Sequence, residues 1–459
     1  MQQSKKVKSR ITNRKAAKNT RVSNKISKKQ AKKEKVHSFF ELYLHGLAGV
    51  VGLGILVLPL FIALVYGGVF SIYLVIGAGF LALLIGMLIY DISITHNHDP
   101  YNFLKNTIKK EYSFVFAFLL LISFIITITA AGIASIGELS LFFGLSPFTS
   151  IAVIDLLFVV MWIILFYNKA RRTLNFAGAL KIFFVVLLIA LGVTAFVSNR
   201  TSPTAGVQVS YVLPVSAPIF LFGLLILLWM YGGFEGASVV YKGEKREDVA
   251  KALIAVIITA MILFSLVQTF IFTSENSASV GNLIYPILMS VPTANIFTAN
   301  ILSAPFSLEV QDLIVSLSIV VILLTAFALI NASNRTLDDV SRDRLMPAFL
   351  QKDENLKLLI TAAVPIVLIT IFAPVVVNSG VFSYLSLIII SALSFAAAFA
   401  FFSFGYGYVY LKKRNYSRAL FGFFVFVLLL ALIVTSPIPF LIGLIIILIV
   451  ALIGYSLIR

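Results

Sequence analysis

The sequence predicts an all-α integral membrane protein with twelve transmembrane helices, and three observations carry that prediction. Hydrophobic residues make up 60% of its 459 positions and charged residues only 12%, against roughly 25% charged in soluble domains. The apolar residues form continuous runs of the length, about 20 residues, that crosses roughly 30 Å of hydrocarbon. Alternating ten-residue strands, the mark of an outer-membrane barrel, do not occur. Finally, the basic residues fall in alternate loops, as the positive-inside rule requires.

Taken in order, the chain opens on a basic segment. Residues 1–37 hold 11 Lys, 3 Arg and one Glu, so +13 of the formal +17 sits there. This segment has too few apolar residues to offset ordering entropy and no apolar core of a cleavable signal. It is expected to be a disordered cytoplasmic tail, with residues 38–459 forming the transmembrane domain. No aromatics are interleaved to stack bases, so nucleic acid is not an expected partner. Anionic membrane lipid is, at about 1 kcal/mol per basic residue near the surface. Spans follow at 40–65, 68–92, 113–137, 148–167, 176–197 and 215–241, then at 250–272, 310–335, 358–377, 380–404, 418–435 and 437–457. A cytoplasmic N terminus places 35 of the 36 Lys and Arg residues inside and only Arg200 outside. Both termini are therefore expected in the cytoplasm and the protein in the plasma membrane.

Enzymatic chemistry finds no support. Cysteine is absent, which excludes disulfides, thiolate metal sites and a Cys nucleophile. There is no phosphate-binding Gly-rich loop with Lys-Ser/Thr and no G-x-S-x-G nucleophile with a His partner. No cofactor and no metal are expected.

Two spans are interrupted. The first reads Val51-Gly52-Leu53-Gly54-Ile55-Leu56-Val57-Leu58-Pro59 and the sixth Trp229-Met230-Tyr231-Gly232-Gly233-Phe234-Glu235-Gly236. Glycines and proline inside a span weaken the helix and free backbone groups that lipid cannot satisfy. Paired interruptions at corresponding places in two halves point to a transporter's midplane site. Half-helix N termini offer N–H groups to a carboxylate, and unwound carbonyls receive an ammonium, so a zwitterion suits both. The alternative is that these glycines only allow close helix packing.

Gly52-Leu53-Gly54-Ile55, Leu58-Pro59 and Gly67-Gly68 together resemble the first-helix pattern of the amino acid–polyamine–organocation superfamily. Gly233-Phe234-Glu235, then Lys242-Gly243-Glu244-Lys245-Arg246 and Lys251-Ala252, resemble its sixth helix. Ser333-Asn334-Arg335-Thr336 and Ser341-Arg342-Asp343-Arg344-Leu345-Met346-Pro347 resemble its segment after helix eight. Order, spacing and topology agree over about residues 40–410. Leu53 stands where a small residue is usual, and Arg344 where glycine is usual. The resemblance implies a LeuT-like inverted five-helix repeat with discontinuous helices 1 and 6, two extra helices, and alternating access to a central site. It implies secondary transport of an amino acid or related amine, amino acid permease-like. The amino acid/auxin permeases share the first-helix pattern but match less well at the sixth and eighth.

Within this frame the backbone of Gly52, Leu53, Gly54 and Ile55 would hold a substrate carboxylate. The stretch Tyr231, Gly232, Gly233, Phe234 and Glu235 would receive the ammonium, with Trp229 and Tyr231 shaping the pocket. Glu235 resembles the helix-six Glu of arginine/agmatine-type exchangers, which implies a coupling role; a structural hydrogen bond is the alternative. Lys181 either snorkels to the cytoplasmic face or resembles the helix-five Lys that replaces sodium in sodium-independent members. Glu41 and His45, at i and i+4, read as an interfacial pair, Glu138 and Asp155 as packing-site polar groups, and His96, His98 and Asp99 as solvated loop residues. Tyr231 is either a substrate wall or a packing residue. The function expected is sodium-independent, proton-coupled uptake or exchange, protons being the coupling ion. A non-transporting sensor of the same fold, signalling through its tail, is the competing class. An ion channel is disfavoured because no ring of charges or filter repeat appears.

Overall fold

The computed structural model describes residues 38–50, 52, 54, 55, 58, 62, 66, 68–167, 170–200, 216–234, 246–274, 308–347, 350, 351, 353–379 and 384–458. Among them there is no strand. Helices run as α1 Phe39–Val50, α2 Gly68–His96, α3 Pro100–Thr107, α4 Lys110–Phe142, α5 Pro147–Phe166, α6 Ala170–Arg200 and α7 Ala217–Met230, then α8 Arg246–Ser274, α9 Leu308–Arg342, α10 Glu354–Ser379, α11 Tyr384–Lys412, α12 Tyr416–Val434 and α13 Ile438–Ile458. Ten of these, all except α1, α3 and α7, are long and apolar enough to cross a membrane. At 12 and 14 residues, α1 and α7 are too short to do so alone. They are the described parts of the two interrupted spans, whose remaining residues lie largely outside the described set. The basic tail, residues 1–37, also lies outside it.

Helix starts follow local chemistry. Ser146 accepts from the Thr149 amide at 3.2 Å ahead of Pro147 at the first turn of α5, an N-cap with proline where no N–H is needed. Asp99 and Pro100 do the same for α3, with Asn102 N donating to Asp99 Oδ1 at 2.8 Å. The sequence reading missed α3, whose eight residues are too short for a span.

The end of α9 accounts for one departure from the family pattern. Arg344 N bonds Ser341 O at 3.0 Å and Leu345 N bonds Val340 O at 3.1 Å, which is a Schellman cap. Arg344 occupies its left-handed position, at φ 59°, where glycine escapes the side-chain penalty. Arg344→Gly is therefore expected to raise stability by roughly 0.5–1 kcal/mol, the strain relieved less the entropy glycine adds to the unfolded chain. Thermal unfolding in detergent reads this out.

Between membrane helices hydrophobic attraction is weak, so packing and hydrogen bonds carry association. α4 lies centrally, packed by α3, α5, α9, α10, α11 and α13. α1 packs on α6, α8 and α9, while α7 packs on α2, α11 and α12. Ion pairs tie the helix ends together. Lys105 pairs with Asp343, Lys357 with Asp338 at 2.5 Å, Arg418 with Asp91 at 3.0 Å, Arg171 with Glu41 at 2.5 Å and Arg246 with Asp99 at 3.5 Å. Tyr101 donates to Asp343 at 2.7 Å; burial and this contact with a carboxylate hold its phenol above the usual range. Glu41 and His45 both turn to Arg171, the first to its guanidinium and the second to its carbonyl at 3.2 Å. Asp99 is spent on capping α3, and among the described residues no three potential ligands gather to hold a metal.

Candidate functional site

The two interruptions meet. α1 ends at Val50, Gly52 lies in a bend, and helical backbone resumes at Gly54, with Ile55 N bonding Gly52 O at 3.2 Å. α7 ends at Met230 and turns through Tyr231, Gly232 and Gly233 before Phe234. At Gly233 the backbone takes φ +105°, a left-handed conformation open to glycine. A Cβ there would fall 2.6 Å from the carbonyl of Gly49. The two broken segments therefore touch backbone to backbone, and only residues without side chains allow it. Gly54 similarly lies against Met230, whose Cα would stand 2.9 Å from an added Cβ.

Around this contact is a small cavity of about 20 Å³, room for about one water molecule. Gly49, Val50 and Gly54 line it from the first segment, and Trp229, Met230, Gly232 and Gly233 from the second. α4 adds Ser123, Phe124 and Thr127, α9 adds Thr325 and Leu329, and α11 adds Phe395. Trp229 is anchored by its indole N–H, which lies 3.0 Å from Thr127 Oγ1 and 2.9 Å from Ser391 Oγ. Those hydroxyls bond each other at 2.7 Å, and Ser391 Oγ donates to the Ser123 carbonyl at 3.0 Å. A hydroxyl cluster thus fastens the end of α7 to α4 and α11.

Of the residues singled out from sequence, Gly54, Trp229, Gly232 and Gly233 line the cavity. Gly52 stands just behind it: an added Cβ would lie 1.8 Å from Thr325 Oγ1. Ile55 and Phe234 are fully buried, Phe234 stacking on Phe399 at 6.1 Å and meeting Phe395 edge-on at 6.2 Å. Tyr231 turns away from the cavity. Its hydroxyl donates to Val75 O at 2.9 Å and its ring meets Phe264 at 5.1 Å, so it braces α7 against α2 and α8. Leu53 and Glu235 lie outside the described residues.

Lys181 does not snorkel. Its side chain is 0% exposed, and Nζ donates to the carbonyl of Ala48 in α1 and, at 2.7 Å, to Thr325 Oγ1 in α9. Thr325 Oγ1 in turn donates to Val321 O at 2.9 Å. One ammonium thereby links α6 to the helix before the first break and to the cavity wall opposite. Sequence reasoning missed Ser123, Thr127, Thr325 and Ser391. Ser123 and Thr127 alone left a pattern, hydroxyls at i and i+4 inside an otherwise apolar span.

The walls of the cavity come from two interrupted helices and three continuous ones. It holds no paired nucleophile and base among the described residues. Residues 38–456 match the family model described as amino acid permease. A search of curated proteins finds no match. Among solved structures the fold is similar to that of a mutant manganese transporter from Eremococcus coleocola, with a TM-score of 0.55 at 14% identity over 93% of this chain and 97% of that one. The family match spans nearly the whole transmembrane region, and on that ground this chain belongs to the amino acid permeases of the amino acid–polyamine–organocation superfamily, as a multi-pass membrane transporter and not an enzyme.

Proposed function

We propose that the protein is a sodium-independent secondary transporter of amino acids or related amines, driven by protons or working by exchange. The observation that carries this reading is the backbone contact of the two interrupted segments at Gly49 and Gly233, with a cavity lined from both. A zwitterion there would place its carboxylate on the backbone of 52–55, at the first break, and its ammonium on the carbonyls of 231–235. Trp229 closes the pocket and Glu235 sets its charge. Lys181 supports independence from sodium, because its ammonium already occupies the position between the first break and α9. We read the fold as twelve spans in a LeuT-like inverted five-helix repeat plus two further helices, moving one bundle against the other. The distribution of Lys and Arg supports cytoplasmic termini in a plasma-membrane protein, with residues 1–37 a tail that meets anionic lipid and residues 38–459 the transporting unit.

Proteoliposomes test this directly. With a panel of radiolabelled amino acids and polyamines, an inward proton gradient is expected to accelerate uptake while an inward sodium gradient leaves it unchanged. Strict dependence on sodium would sink the reading of Lys181. Deletion of residues 2–35 is expected to leave uptake intact, whereas a tail-signalling receptor would lose its output.

A further inference from the structure

Glu138 is an ionisable residue that the proposed cycle does not use. It stands near the end of α4, is 1% exposed, and its Oε2 has no hydrogen-bond partner. Eleven residues separate it from Thr127 on the cavity wall. Eleven residues make three helical turns to within about 20°, so Glu138 lies on the same side of α4 as the cavity, about 16 Å further along.

The helices that pack on α4 bring little charge to this end. Lys105 and Tyr101 of α3 pair with Asp343, at the foot of α9 and so near the Lys110 end of α4. Asp338 of α9 and Lys357 of α10 pair with each other, and Tyr455 of α13 sits on Phe114 near the same end. The α11 tyrosines Tyr406 and Tyr410 are bound to Asp91. Nearer to Glu138, α5 carries Asp155, whose Oδ2 accepts from Thr370 of α10 at 3.2 Å. The side chains of Glu309 and Asp312 in α9 and Tyr384 in α11 lie outside the described residues. Among the described residues no hydrogen-bond donor reaches Glu138 Oε2.

An ionised carboxylate sealed from water without a partner costs several kcal/mol, whereas the carboxylic acid does not carry that penalty. We propose that Glu138 is a proton-binding site on the face of α4 that leads away from the cavity, protonated while this face is dry and exchanging its proton when water reaches it. A water-exposed glutamate titrates near 4.3, so at neutral pH the wetted residue is ionised. Sealing it then transfers one proton from hydronium to the carboxylate, leaving water. The sign follows: the sealed state is favoured as the pH of the compartment facing that end falls, and is disfavoured as that pH rises. Which compartment that is, and the link to transport, rest on the function proposed above.

Infrared spectroscopy of the full-length protein in lipid vesicles at neutral pH tests the site. A carbonyl stretch from a protonated carboxylic acid, shifted in deuterated water, is expected in the wild type and in Asp155→Asn, and is expected to be lost in Glu138→Gln. Glu138→Asp is expected to move the band and serves if the glutamine variant does not fold. A wild type without the band, or a band unaltered by either Glu138 variant, overturns the proposal. The band needs neither substrate nor transport. A protein that shows it and loses it in Glu138→Gln, yet moves no amino acid, would refute the transport reading while supporting this one.

Discussion

Gly233→Ala is expected to abolish uptake and to destabilise the protein by about 2–6 kcal/mol, the sum of backbone strain and overpacking. The strain arises because φ is +105°, where a side chain collides with its own backbone. The overpacking arises because the new methyl would lie 2.6 Å from the Gly49 carbonyl, and a backbone group cannot rotate aside as a side-chain tip can. Gly49→Ala, with 2.6 Å to Gly233 O, isolates the second effect and is expected to cost about 1–3 kcal/mol. Thermal unfolding in detergent, paired with uptake in proteoliposomes, measures both. A Gly233→Ala protein as stable as wild type would mean that the two interrupted segments are not in contact.

The second large effect is expected at Lys181. Lys181→Met removes the donor shared by the Ala48 carbonyl and Thr325 Oγ1. Each buried acceptor left without a partner costs about 1–3 kcal/mol. Uptake is expected to fall by more than about tenfold, equivalent to at least 1.4 kcal/mol on the rate-limiting barrier. Lys181→Arg is expected to fail as well, because a planar guanidinium cannot place one donor where the compact ammonium sits. If either variant transports normally, Lys181 is a packing residue and nothing more.

How far the sequence revealed the site depended on what kind of signal each residue leaves. The interruptions were legible because glycine and proline inside an apolar run break a rule that lipid enforces. Lys181 was ambiguous because the predicted span began at 176, leaving it near an edge where snorkelling is common. The helix begins at Ala170, so Lys181 stands three turns inside it and its side chain has no route out. Tyr231 was ambiguous for another reason. Side-chain direction follows helical phase, and the turn at 231–233 resets that phase, so periodicity says nothing about which way the ring points. Ser123, Thr127 and Ser391 were overlooked because membrane helices carry many hydroxyls bonded to their own backbone. Thr127 does bond Ser123 O at 2.8 Å; only the packing of α4 on α11 shows that it also receives Trp229. Arg344 read as a departure from pattern, and the fold gives it the conformation for which the pattern favours glycine.

The cavity's size has a consequence for any binding measurement. About 20 Å³ between the described walls is room for about one water molecule, so an amino acid bound there needs those walls to part. Affinity measured from outside will then equal the intrinsic affinity of a wider conformer multiplied by the fraction of molecules that adopt it. A substitution that raises the population of the wider conformer would strengthen apparent binding without adding a single contact to the substrate. Weak apparent binding to the wild type would therefore report on how rarely the site opens as much as on how well it fits.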